Sequence, residues 1–176
     1  MSFALRVPIV AVVALVVTAP AWAAESEDVQ KVRALLYKEQ DSYLQGDTEQ
    51  LLSCYAPGFV SYGAGGQGPE LWQVGFVGLD SLRTGYAVPA ANTPSWLQRH
   101  PEVRSGNEVL HVSVKDGRAI ALTQHWSSLP DTTARETLYT MHQTVWMAAK
   151  VGSEWKITGF IGGVKAEQRV WLQGPR

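Results

Sequence analysis

Glu39 and His142 are the two side chains whose sequence surroundings invite proton chemistry. Glu39 falls on the line Val32, Leu36, Tyr43, three residues after Leu36 and four before Tyr43. If that line faces an interior, the carboxyl loses its water, its pKa rises, and it becomes a general acid or base near neutral pH. A slight rotation of the helix leaves it instead at a solvated edge, where an unpaired glutamate ordinarily sits. His142 lies in a run that reads as a strand. Counting in twos puts Leu138, Thr140, His142, Thr144 and Trp146 on one face and Tyr139, Met141, Gln143, Val145 and Met147 on the other. A histidine so placed can donate to a developing oxyanion or shuttle a proton. It can equally be an ordinary structural residue held by a neighbouring backbone or hydroxyl group, and a one-residue slip in register reverses the two faces.

The elements that position these groups follow from periodicity. Val29, Val32, Leu36 and Tyr43 recur at helical steps, so a helix is expected from about Ser26 to Gln45, ended by Gly46. Asp47 caps a second helix, with Gln50 three residues on and Pro57 as a stop. Phe59 to Tyr62 reads as a short strand, and the stretch from Gly63 to Pro69 must turn. Trp72, Val74 and Phe76 alternate as a second short strand, and Leu79 to Tyr86 suits a short helix. Residues 87–106, broken by Pro89, Pro94 and Pro101, read as a long loop, either a lid or a surface excursion anchored by Trp96. Val109–Val114 and Ala119–Trp126 form a hairpin across Asp116-Gly117, with a further turn at Pro130-Asp131. Thr137–Ala149 and Trp155–Ile161 form another across Val151-Gly152-Ser153. Two long hairpins behind a helical pair predict an α+β domain, with a curved antiparallel sheet packed on N-terminal helices.

The start of the chain sets an expected compartment. Arg6 precedes an apolar run from Val7 to Val17, interrupted only by Pro8, and Ala21-Trp22-Ala23 supplies small residues at the two positions read by a signal peptidase. Residues 1–23 are therefore expected to be a cleaved signal peptide, and 24–176 one domain, periplasmic or secreted. The run is shorter than the roughly 20 residues of a membrane span, so no membrane association is expected after cleavage. Losing Arg6 takes the formal charge from −1 to −2, which leaves no basic footprint for nucleic acid. Cys54 is the only cysteine; it excludes an intrachain disulfide and reads as a small buried hydrophobe.

The ordered set of local strings resembles the nuclear-transport-factor-2-like, or SnoaL-like, superfamily. Residues 41–62, with Gly46-Asp47 between two helices and Phe59-Val60-Ser61-Tyr62 closing them, resemble its opening. Gly78-Leu79-Asp80-Ser81-Leu82 resembles its short third helix, and Thr144-Val145-Trp146 with Trp155-Lys156-Ile157 its final strands. The similarity runs over roughly residues 28–164. It implies a cone whose sheet curls around the first helix and leaves a pocket at the wide end. Members include ketosteroid isomerases, polyketide cyclases, dehydratases, epoxide hydrolases and non-catalytic association domains, so fold alone does not give function.

The resemblance points the face of Thr140, His142, Thr144 and Trp146 into the cone, with His142 near the isomerases' oxyanion-binding acid. On the neighbouring strand, Ile120, Leu122, Gln124 and Trp126 are expected to share the pocket side, making Gln124 and Trp126 ligand contacts. Ala119, Ala121, Thr123 and His125 then turn away. Tyr43 continues the helical line, and Tyr62 and Trp72 close the mouth or serve as core aromatics. A two-residue turn at Asp116-Gly117 puts His111 opposite Leu122, on the other face from His125. With no carboxylate or cysteine at matching spacing, no metal site and no cofactor are expected. The isomerases' catalytic base position corresponds to about Gly63, which has no side chain to take a proton, and their helix-one tyrosine falls near Glu39.

Three functions fit these residues. One is an exported domain binding a small hydrophobic molecule in an apolar pocket, with Glu39, Gln124 and His142 as orienting groups, and forming a homodimer through the outer sheet face. Another is an acid/base isomerase, cyclase or dehydratase using His142 with Glu39. The third is a structural dimerisation module with a filled cone.

Overall fold

The computed structural model describes residues 25–64, 69–86, 102–131 and 136–172. The expected signal peptide and residues 87–101 of the expected loop lie outside them. Helix α1 (Glu27–Gln45) starts where Ser26 Oγ accepts from the Val29 amide at 3.3 Å, and stops at Gly46, whose φ of 72° suits glycine in a left-handed cap. Asp47 caps α2 (Thr48–Ser53) by accepting from the Gln50 amide at 2.9 Å. The chain then enters β1 (Tyr55–Gly63), β2 (Gln73–Val77) and α3 (Gly78–Tyr86). Four strands follow as a meander: β3 (Arg104–Lys115), β4 (Arg118–Asp131), β5 (Glu136–Val151) and β6 (Glu154–Leu172).

The six strands form one sheet in the order β2-β1-β6-β5-β4-β3. All neighbours are antiparallel except β1 and β6, which run parallel. The expected antiparallel sheet is therefore mixed. Its one parallel pair joins the first strand to the last, a pairing that local patterning does not report. The strands also run longer than expected. β4 passes through Pro130, and β6 continues beyond Ile161 after Gly163, at φ 69°, lets a bulge form.

One face of the sheet carries the core. Val109 and Val112 of β3, Ala119 and Ala121 of β4, Ala148 of β5 and Ile157 of β6 are buried with Val32 and Leu36 of α1, Leu51 and Leu52 of α2, Phe59 of β1 and Leu82 of α3. Each large side chain so buried stabilises the fold by about 1.5–3 kcal/mol. A bulge between Val109 and His111 lets both valines face this side. Two polar ties hold α1 against the sheet. Arg33 donates to the Val109 carbonyl at 2.6 Å, and Asp28 accepts from Trp155 Nε1 at 3.0 Å and Lys150 Nζ at 2.9 Å.

Candidate functional site

The pairing of β4 with β5 decides which side chains share the inner face. Ala119 is opposite Ala148 and Ala121 opposite Trp146; then come Thr123 with Thr144, His125 with His142 and Ser127 with Thr140. The first positions belong to the core, so by alternation the whole rank faces inward. Moving along it, alanines and an aromatic give way to hydroxyls and imidazoles. Trp146 Nε1 donates to Thr123 Oγ1 at 2.8 Å, and Ser127 and Thr140 share a hydroxyl hydrogen bond at 2.7 Å. Between these two pairs the rings of His125 and His142 stand 5.1 Å apart, tilted by 38°. His125 is partly buried and His142 is exposed at the surface; lost hydration lowers the pKa of both, and for His125 the charge of His142 adds to the effect.

The sequence assigned the faces of β4 the wrong way round. Gln124 and Trp126 lie on the outer face, where Gln143 Nε2 donates to Gln124 Oε1 at 3.2 Å and Trp126 stacks on Tyr139 at 6.3 Å. Trp126 also lies over Gly106, where an added Cβ would meet the indole nitrogen at 2.6 Å, so glycine is required beneath the ring. The inward residue is His125, which had been turned away. The cause is a choice of size over fit. Ile120, Leu122 and Trp126 look like the core face, yet the inner side under the helices takes alanines, and Ile120 is 59% exposed. Requiring a small partner opposite the inward Trp146 would have selected Ala121 and, with it, His125. His111 pairs with Leu122 on the outer face, so it remains apart from His125.

Glu39 is buried, not at a solvated edge. It is 7% exposed and accepts a 2.6 Å hydrogen bond from Tyr55 Oη. Burial raises its pKa to about 7, against the smaller lowering effect of that hydrogen bond. Tyr55 was not singled out by sequence; it opens β1 just after α2, and only the tertiary fold brings it to Glu39. From Tyr55 a file of ring contacts passes to Phe59 at 4.7 Å, to Phe160 at 5.6 Å and to Trp146 at 5.0 Å. The inner face thus has a buried carboxyl at one end of an aromatic file and the threonine–histidine rank at the other.

The remaining expected residues separate. Tyr43 lies on the helical line of Leu36 and Glu39, but it is 51% exposed whereas Leu36 is 2%; the cover over the stripe ends there. Ser42 takes the buried place in that turn, donating to the Lys38 carbonyl at 2.7 Å. Tyr62 pairs with Ile161 on the face opposite Ser61 and Phe160, which puts it on the outer side. Trp72 sits just before β2, at the sheet edge remote from β5. Cys54 is buried, its Sγ against the Gln50 carbonyl at 3.5 Å, and burial pushes its thiol up. Among the described residues, no group of three or more His, Cys, Asp and Glu side chains gathers around one point.

No family model matches the chain, and no curated protein matches it by sequence. Solved structures do match by fold. A ketosteroid isomerase-like protein from Erwinia carotovora atroseptica SCRI1043 aligns at 13% identity over 78% of this chain and 95% of its own, with a TM-score of 0.54. An NTF2-like protein of unknown function from Pseudomonas putida KT2440 aligns at 12% identity over 77% and 85%, with a TM-score of 0.52. A candidate scytalone dehydratase from Novosphingobium aromaticivorans DSM 12444 aligns at 11% identity over 85% and 89%, with a TM-score of 0.53.

Proposed function

We propose that this chain, whose fold is nuclear-transport-factor-2-like, is an exported domain that binds a small, largely apolar molecule on the inner face of its curved sheet. The observation that carries the reading is the change along that face. Alanines and a file of aromatics give way to Thr123, Thr144, His125 and His142, while the helical stripe above ends in an exposed Tyr43. An apolar surface with a few convergent polar groups is the composition of ligand sites in general. Phe160 and Trp146 contribute apolar contact, and the two imidazoles orient an oxygen of the ligand. The outer face, with Val74 60% and Ile120 59% exposed, is the surface through which two copies pair.

A second reading is favoured by one observation. Glu39, with its pKa near 7 and Tyr55 Oη donating to it, has the protonation range of a general acid or base at neutral pH. Under this reading the domain is an isomerase, cyclase or dehydratase that moves a proton at the carboxyl end of the aromatic file, with His142 acting on the substrate's oxygen.

The test is native mass spectrometry of the protein exported by its own host, with near-ultraviolet circular dichroism to monitor the fold. A retained small molecule that is lost in His142→Ala, with the spectrum unchanged, supports binding. Unchanged retention in that variant, or no retained mass in either protein, overturns the pocket assignment. Loss of turnover of the identified molecule in Glu39→Gln, with retention intact, selects the enzyme.

A further inference from the structure

The imidazoles of His125 and His142 face each other from directly opposed positions on adjacent strands. Opposed side chains on one face start from Cβ atoms about 4.5–5.5 Å apart, close enough for two short side chains to converge on one point. A ligating imidazole nitrogen lies about 2.0–2.1 Å from a zinc-sized ion, which puts the ring centre roughly 3.2 Å from it. Two such rings at a tetrahedral angle then have centres roughly 5.2 Å apart. The observed separation is 5.1 Å.

The described neighbours of the pair are neutral. Asn107 is opposite His125 on β3, and Ala166 is opposite His142 on β6. The flanking inward pairs are Thr123 with Thr144 and Ser127 with Thr140. None of these six is charged. The adjacent acids, Glu108 and Glu167, pair with Gln124 and Met141 on the other face. Among these described neighbours no cation competes for the place, and no fixed anion favours calcium or magnesium over an ion that prefers nitrogen.

We propose that His125 and His142 form a two-point chelate for a divalent transition ion of the zinc, nickel or copper class on the inner face of the sheet. The remaining coordination positions are taken by water or by an oxygen or nitrogen of a bound molecule, as in an open site. Sequence reasoning missed the pair because it placed His125 on the outer side. The inference does not depend on an organic ligand binding, so the two ideas fail separately.

The experiment is isothermal titration of ZnCl2, NiCl2 and CuCl2 into the untagged chain, with MgCl2 as control. One equivalent is expected to bind, copper more tightly than nickel or zinc, with no heat from magnesium. His125→Gln and His142→Gln should each weaken zinc binding on the order of 100-fold, since each removes one arm of a chelate. The double variant should lose little more than either single one. His100→Gln and His111→Gln should bind as the parent does. Imidazole-detected NMR of the parent provides a readout that needs no variant: substoichiometric copper should broaden the His125 and His142 rings together. Binding that survives either substitution, that disappears in His100→Gln or His111→Gln, or copper broadening confined to another histidine overturns the proposal.

Discussion

The inner face of β4 and β5 has two halves built on the same backbone. In the half under the helices, Ala119, Ala121 and Ala148 lie in the core with Leu36, Phe59 and Ile157. In the half beyond them, past the buried Thr123 and Thr144, His125 and His142 occupy the same face in the same register. The pleat and the pairing do not change from one half to the other; the cover does. Where helices lie close, small side chains leave space for the large ones above, and the return is fold stability. Where the cover ends, the same alternation presents groups that can bond a ligand. A covered part that stabilises the fold and an open part, where the proposed binding would occur, thus divide one face, with Trp146 and its hydrogen bond to Thr123 at the boundary.

The strongest way to test this division is to damage the covered half. Phe59 is fully buried between the Tyr55 and Phe160 rings. Phe59→Ala is expected to cost about 3–5 kcal/mol in urea denaturation, whereas His142→Ala should stay within about 1 kcal/mol of the parent. Equal losses from the two would remove the distinction.

Glu39 gives the next largest effect, and its sign depends on pH. Its folded value of about 7 lies above the ordinary 4.5, so the fold prefers the protonated carboxyl. That preference contributes fully below pH 4.5 and is lost as the pH rises through 7. Glu39→Gln keeps a neutral side chain at every pH. It is expected to leave stability nearly unchanged at pH 4 and to raise it by roughly 3 kcal/mol at pH 8. A variant that is less stable at pH 8 would mean that the Tyr55 hydroxyl holds the carboxylate form strongly enough to outweigh its burial.

The smallest effect sharpens the assignment of faces. Gln124 bonds only across the outer surface to Gln143 among its described hydrogen bonds. Gln124→Ala should change stability by no more than about 0.5 kcal/mol and should leave both small-molecule retention and zinc titration as in the parent. A loss of either would return Gln124 to the inner site.

These contrasts also show what the sequence could and could not disclose. The first two helices were legible because their signals are local: a 3.6-residue stripe, Ser26 and Asp47 as caps, and Gly46 as the stop. The Asp116-Gly117 turn was equally plain, with positive φ at both residues. His142 was placed on the inward face, together with Thr140, Thr144 and Trp146. The faces of β4 were reversed because side-chain size was taken as the mark of the interior, although a curled sheet under helices takes alanine there. β6 was cut short because its bulges break the period of two. Its parallel pairing with β1 joins distant parts of the chain, and no local pattern encodes that. The same holds for Tyr55 and Glu39, sixteen residues apart and joined only by packing.

Leu110, the extra residue in the edge strand β3, has a consequence for how this gene can change. It resets the alternation midway, so that Asn107 and Val109 on one side of it and Val112 on the other all point inward. Point substitutions at 110 alter a partly exposed side chain. Loss of the codon would remove the bulge and leave a plain period of two, in which Asn107, Val109 and Val112 still face inward against His125, Thr123 and Ala121. At that position the buried face therefore tolerates a change of length as well as of spelling, and what the edge strand loses is its local kink.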